Sequence, residues 1–449
     1  MERNIILVLL LLLYSCSGNE YSLEEEGFSE VPNVFESVAW IRSFGGSGDD
    51  SPRSIISTTD GGFAVFGFTD STDGHLVSKS NNVNDYWLLK LDAEGNLQWL
   101  RTYGGSKDDQ GQQAIQTSDG GYAITGYAMS DDGDGSNNEG FHDNWVLRLD
   151  SSGNILWEKS FGFSGHDHSY DIVETADGGF FFSGFLDVTS SNGEGSTGKG
   201  SGLSAHGVGE FWGTKVDGQG NLVWRKFFGG TNNDRSFGVV NAHDGGYVLI
   251  GASESNDFDV SNPKGSYDFW VVKIDKNGNF LWERSFGGTG IDQSYDIART
   301  KDGAYAIVGN TFSIDTDVSK NNGESDIWLI KISEAGELLW QKSYGGTGFD
   351  ASHGISTAAD GGFIISGNSK SFNGDATQNF GENDFWLIKT DESGELEWQR
   401  SFGGTGLDFA YDALEGADGS IILVGDTASE DFPGTEHRGG LDLLVIKVN

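Results

Sequence analysis

The chain is short of cysteine, proline, positive charge and long apolar runs. Its single cysteine, Cys16, has no second cysteine to pair with, so no disulfide can staple the fold and stability must come from core burial or bound metal. Only 4 prolines occur, and no run of helical heptads is present. Against 68 Asp and Glu stand 28 Lys and Arg, a formal net charge of -40. Such a surface repels phosphate backbones and anionic headgroups over about 8 Å at physiological salt, which excludes nucleic acid as an expected partner. The one apolar run, Ile5 to Leu13, is too short to span a bilayer and has the length of a signal-peptide core.

What the chain does have is 69 glycines, 12% aromatic residues and a sentence that it repeats. "SDIWLIKISEAGELLWQKSYGGTGFD" (325–350) returns one period later as "NDFWLIKTDESGELEWQRSFGGTGLD" (383–408). Trp40, Trp99, Trp157, Trp224, Trp282, Trp340 and Trp398 mark seven units, and five of their six intervals are 58 or 59 residues, the other 67. A second Trp leads the preceding segment at Trp87, Trp145, Trp212, Trp270, Trp328 and Trp386. All 13 tryptophans are thus repeat positions, the pattern of core packing rather than of a ligand platform.

Each unit holds four alternating segments, in the first full unit Ser54–Thr58, Phe63–Thr69, Tyr86–Leu91 and Leu97–Tyr103. "DGG" (60–62) and "AEGN" (93–96) supply Gly where tight hairpins need positive φ. The expected fold is all-β: a seven-bladed β-propeller of four antiparallel strands per blade. The last unit, ending "LLVIKVN", lacks a fourth strand, and "SVAWIRSFGG" (37–46) is a fourth strand without a unit, so the N-terminal strand is expected to complete the last blade. Third-strand Lys or Arg, from Lys90 to Lys447, should pair with the "DGG" aspartates, from Asp60 to Asp418.

Three resemblances follow from these residues. Leu13-Tyr14-Ser15-Cys16 resembles a bacterial lipobox, with the acidic "EEE" (24–26) similar to the tether of surface lipoproteins in Bacteroidota. This implies a signal peptide over 1–16 with Cys16 as the lipidated residue, a flexible tether over 17–33 and a propeller over 34–449, anchored at the outer membrane and facing the cell surface. "KLDAEGNLQW" resembles the quinoprotein-like propeller repeat, in which an Asp-turn-Gly-x-x-x-Trp signature docks neighbouring blades; seven units and no vicinal cysteine pair argue against a quinone cofactor. The fuller unit is similar to repeats of uncharacterised Bacteroidota surface proteins, some labelled endoglucanase-like or lectin-like.

Function is expected on the face that carries the second-to-third loops and the fourth-to-first connections, because those segments vary in length. Seven aspartates end the "GGTGxD" motif, at Asp50, Asp109, Asp167, Asp234, Asp292, Asp350 and Asp408; each is expected to cap its Gly-rich turn, sharing a cation being the alternative. The loop "DTDVSKNNGESD" puts Asp315, Asp317, Ser319 and Asn321 at alternate positions and Asp326 at position twelve. Asp132, Asp134, Ser136, Asn138 and Asp143 repeat this, as do Asp257, Asp259, Ser261 and Asp268, and then Asp375 and Asp384. Hard oxygens at this spacing are candidate Ca2+ ligands, although no Gly stands at position six and ordinary turn chemistry explains the same residues. The third unit is irregular: "VTSSNGEGSTGKGSGLSAHGVGE" (188–210) is inserted and "GHDHSY" (165–170) adds histidines. His166, Asp167, His168, Tyr170 and His206 are candidate ligand-binding residues. The expected role is a monomeric surface scaffold that binds a polysaccharide or an extracellular protein. The alternative is a polysaccharide-active hydrolase or lyase, for which Asp171 and Glu194 are the carboxyl pair to check.

Overall fold

The computed structural model describes residues 37–187 and 209–449. Cys16, the 17–33 tether, Glu194 and His206 lie outside the described residues.

Seven sheets of four antiparallel strands form the ring. The first blade comprises β2 (Asp50–Ser57), β3 (Phe63–Thr69), β4 (Asp85–Leu91) and β5 (Leu97–Tyr103), joined in that order. The innermost strand begins at the "GGTGxD" aspartate in six blades, in the first one four residues before the expected Ser54, and at His168, one residue later, in the third. The alternation signal is interrupted there by a bulge, seen in the first blade as a register shift between Pro52 and Ser54. β1 (Val38–Phe44) pairs antiparallel with β28 (Asp442–Val448), the last strand, so that the two chain ends share the seventh blade as expected. β1 thus supplies the outer strand that covers the edge of β28.

The core lies between blades. Trp87, Trp145, Trp212, Trp270, Trp328 and Trp386 are essentially inaccessible, and Trp87 and Trp328 pack among apolar side chains of their own sheet and of the preceding one. Each indole N–H that a fourth-strand side chain satisfies does so in the same way, Trp270 to Glu283 at 2.9 Å and Trp328 to Gln341 at 3.0 Å. The outer tryptophans dock blade on blade. A Cβ at Gly336, a turn residue with φ of 78°, would stand 2.9 Å from the Trp282 ring of the preceding blade. The Asp-turn-Gly spacing is thus a packing device: Gly allows the left-handed turn and the close approach of the indole together.

All seven third-strand cations pair with their "DGG" aspartates, from Lys90–Asp60 at 2.9 Å through Lys331–Asp302 at 2.8 Å to Lys447–Asp418 at 2.7 Å. Hydrogen bonds from Lys331 and Thr300 hold the Asp302 carboxyl down at about 2. This face is occupied by ladder-end ion pairs, and the opposite face carries the long loops.

Candidate functional site

The loop face is built from turns stitched together by the repeated carboxylates. Each "GGTGxD" aspartate is buried and accepts a backbone N–H four residues before it: Gly46 to Asp50 at 2.8 Å, Gly230 to Asp234 at 2.7 Å, Gly346 to Asp350 at 2.7 Å, and likewise at Asp109, Asp167, Asp292 and Asp408. In five blades the second oxygen takes a hydroxyl from the end of the neighbouring strand, as Ser369 does to Asp350 at 2.5 Å, while at Asp109 and Asp167 it takes backbone N–H groups. These seven groups are caps.

The alternating oxygens of the long loops are used in a similar way. Asp315 accepts the Thr289 N–H at 2.8 Å, Asp317 accepts that of Gly287 at 3.3 Å, and Asp326 accepts that of Asn322 at 2.8 Å. Ser319 accepts from Gln341 at 2.6 Å, and Asn321 bridges the Thr311 carbonyl and the Gly323 N–H. The same partners recur around Asp132, Asp134, Ser136, Asn138 and Asp143, around Asp257, Asp259, Ser261 and Asp268, and around Asp375 and Asp384. Positions one and three hold the connection entering the blade, position five reaches the fourth strand, and position twelve closes its own turn. The oxygens therefore meet separate backbone and side-chain groups rather than one centre within the loop.

One oxygen per loop is left over. At position twelve, Asp85, Asp143, Asp268, Asp326 and Asp384 each keep Oδ1 buried with no hydrogen-bond partner. These oxygens face the next blade's capping aspartate: a Cβ on Gly345 would meet Asp326 Oδ1 at 2.4 Å and Asp350 Oδ2 at 2.9 Å. Burial, with the neighbouring carboxylates adding, pushes Asp326 up to about 6 and Asp384 to about 7.

Inside the ring, one residue per blade from the innermost strands lines the axis: Arg53, Gln112, Tyr170, Phe237, Tyr295, His353 and Tyr411. Neighbouring rings touch around most of the circle, with centroids 5.1 Å apart for Tyr170–Phe237 and 5.4 Å for Phe237–Tyr295, and the Arg53 guanidinium lies 4.1 Å over Tyr411. They bound a cavity of about 250 Å³ that also contacts Asp171, Asp296 and Asp412. Asp171 is fully engaged, accepting the N–H groups of Ile172 and Val239 at 2.7 Å each, and burial pushes it up to about 8. It links two blades, and the Asp296 and Asp412 carboxyls face the same cavity, while Glu194, the carboxyl expected to pair with it, lies outside the described residues.

The irregular sector lies where the second blade meets the third. His166 and His168 lie together there, joined by His142, which the sequence pattern alone did not single out. His142 Nδ1 is 3.0 Å from His166 Nδ1 and 3.3 Å from His168 Nε2. Asp167, between the two, turns inward as a cap, accepting from Phe163 at 2.6 Å and Asp187 at 2.9 Å. Tyr170 belongs to the axial ring, its hydroxyl 3.3 Å from His168 Nδ1. A signal for His142 was present in the repeat: residues 24 apart form a bridge at the junctions, as in Tyr267–Ile291 and Asn383–Leu407, and His142 stands 24 before His166.

These features define the class: a seven-bladed β-propeller, a scaffold that fits a binding or interaction role. A scan against known protein families returns no match. The chain is 28% identical over 170 residues to the regulatory protein FlaEY of Caulobacter vibrioides, a match covering 35% of this chain and 17% of the relative's length. Among solved structures it is similar to a protein of unknown function from Bacteroides caccae (13% identity, TM-score 0.36, covering 68% of this chain and 86% of that one). It is also similar to the WD40 domain of Neurospora crassa Pan2 (9% identity, TM-score 0.48, covering 90% and 89%).

Proposed function

We propose that the protein is a surface lipoprotein, anchored to the outer membrane through Cys16, whose loop face binds neutral polysaccharide. The observation that carries this reading is Phe258. Position two of the long loop has positive φ in several blades, and glycine serves it at Gly133 (φ 68°) and Gly374 (φ 70°). The fourth blade puts Phe258 there at φ 53°, half exposed, a conformation that costs a bulky residue about 1–2 kcal/mol. Strain of that size on a solvent-facing aromatic is a mark of a contact surface. Phe372, 72% exposed, and Phe141, 60% exposed, stand on the corresponding loops of other blades. Flat apolar rings on rigid loops suit the C–H faces of pyranoses, and the acidic surface disfavours anionic chains.

Calcium, on this reading, belongs at the blade junctions, where the partnerless position-twelve oxygen meets the next capping aspartate. A divalent cation there offsets the same repulsion that a shared proton does.

The test is native electrophoresis of the protein through gels cast with neutral or anionic polysaccharides, with Ca2+ or chelator, each lane assayed for released sugar ends. Retardation by a neutral polysaccharide, lost in Phe258→Gly, supports the proposal. Release of sugar ends replaces binding with catalysis, and absence of retardation in every gel overturns the glycan reading in favour of a protein partner.

A further inference from the structure

We propose that His142, His166 and His168 form a binding site for a borderline transition-metal ion of the Zn2+ type at the junction of the second and third blades. The site is separate from the glycan reading and does not depend on it.

The geometry carries the assignment. Of the 8 histidines in the chain, these three bring a ring nitrogen each to within 4.8 Å of the other two, and among the described residues no other trio of histidines or carboxylates does so. A metal bound at about 2.0–2.1 Å separates tetrahedral nitrogen ligands by roughly 3.3 Å and neighbouring octahedral ones by roughly 2.9 Å. The two edges that meet at His142 Nδ1, 3.3 Å to His168 Nε2 and 3.0 Å to His166 Nδ1, lie close to those spacings. The third edge, between His166 and His168, lies within 4.8 Å and would shorten by a turn of the exposed His166 ring.

The surroundings hold the other two rings. Tyr127 stacks on His168 with centroids 3.9 Å apart and planes 17° from parallel, and Phe185 covers the same imidazole at 4.7 Å. Tyr127 also meets the His142 ring edge-on at 5.3 Å, while Phe141 stacks on His166 at 5.1 Å. The Tyr170 hydroxyl beside His168 Nδ1 gives that nitrogen a partner and leaves Nε2 for the metal, the outer-shell arrangement that orients metal-bound histidines.

The donor chemistry selects the cation. Three imidazole nitrogens with no carboxylate among them suit Zn2+, Co2+, Ni2+ or Cu2+ and not Ca2+ or Mg2+, which take oxygen. Three protein ligands and a solvent-facing side leave at least one coordination position open, the arrangement of a site that takes a further ligand from solution.

The sequence logic is independent of the distances. The fold places the residue before the position-twelve Asp against the residue before the next capping Asp, and other junctions fill the pair with Tyr and Ile, Ser and Phe, or Asn and Leu. Only the second-to-third junction has histidine at both places, with a third just after the cap. Core packing does not ask for histidine at these positions, since the other blades manage without it.

The experiment is calorimetric titration of the purified protein with Zn2+, and separately Ca2+, at pH 7.5, for wild type, His166→Ala, His142→Ala and His243→Ala. His166 is exposed, so its removal leaves the fold intact, and His243, exposed on the opposite face, is the control. The expected result is one Zn2+ per chain with low-micromolar or tighter affinity, weakened at least tenfold in His166→Ala and His142→Ala and unchanged in His243→Ala, with Ca2+ not competing. The visible spectrum of the Co2+ form should show nitrogen coordination that both variants lose. Absence of Zn2+ binding to wild type, or binding that His166→Ala leaves unchanged, overturns the assignment.

Discussion

Replacing Asp171 by Asn should change how stability depends on pH more than stability itself. Asp171 is buried, burial pushes its carboxyl up to about 8, and the nearby Asp296 carboxylate adds to the shift. In the unfolded chain the group titrates near 3.9, so between about pH 4 and pH 8 the native state holds a proton that the unfolded state has released. Stability from this group is therefore greatest in acid and falls as pH rises, by about 1.4 kcal/mol per pH unit inside that window. For a ring of roughly 400 residues with about 2.1 cal/mol/K of unfolding entropy each, that slope is about 1.6 °C of Tm per pH unit. The amide of the Asp171→Asn variant cannot ionise, and it loses one acceptor toward Ile172 or Val239, so the variant should melt below wild type at pH 5. The gap should then shrink by about 3 °C at pH 7. Asp296, Asp412, Arg53 and His353 line the same cavity in both proteins. Scanning fluorimetry at half-unit pH steps measures the gap, and two parallel Tm profiles would show that Asp171 is ionised throughout and refute the reasoning.

Gly336→Ala should cost more than Gly303→Ala by about 1–3 kcal/mol, because both positions have positive φ but only a Cβ at Gly336 meets the Trp282 ring, whereas Gly303 faces open space; the difference in urea midpoint at constant m reads this. Phe258→Gly should raise stability by about 1 kcal/mol while weakening retention by polysaccharide, a trade visible when thermal and gel measurements are made on one preparation. Deleting Val38–Phe44 exposes the edge of Asp442–Val448 and uncovers the apolar side chains beneath it, so the truncated protein should lose cooperative melting and associate, as light scattering would show.

The fold was legible because a propeller writes its packing into every period. Trp328 and Trp386 lie at one repeat position because each fills the same gap between adjacent sheets, and a residue that must fill one gap leaves a period-long trace. The Lys331–Asp302 and Lys389–Asp360 pairs were legible for the same reason, since the third-strand end and the first turn meet in every blade. The inner strand's start was missed because a bulge breaks the period-2 alternation just where Asp50 begins the ladder.

The sites were harder to read because repetition hides them. A loop such as "DTDVSKNNGESD" has the oxygen spacing of a cation loop, yet spacing along a chain does not say whether those oxygens converge. Here backbone N–H groups arrive from a Gly-rich connection some 26 residues away, Thr289 to Asp315 among them, and take the oxygens one by one. Only the position-twelve Oδ1 escapes, and it is directed at the next blade rather than into its own loop. Function in a symmetric ring therefore has to be sought where two blades meet and the repeat is broken at both. His142 and His166 satisfy that condition only when read as a pair across the junction. Either one alone is an ordinary polar residue at a loop end.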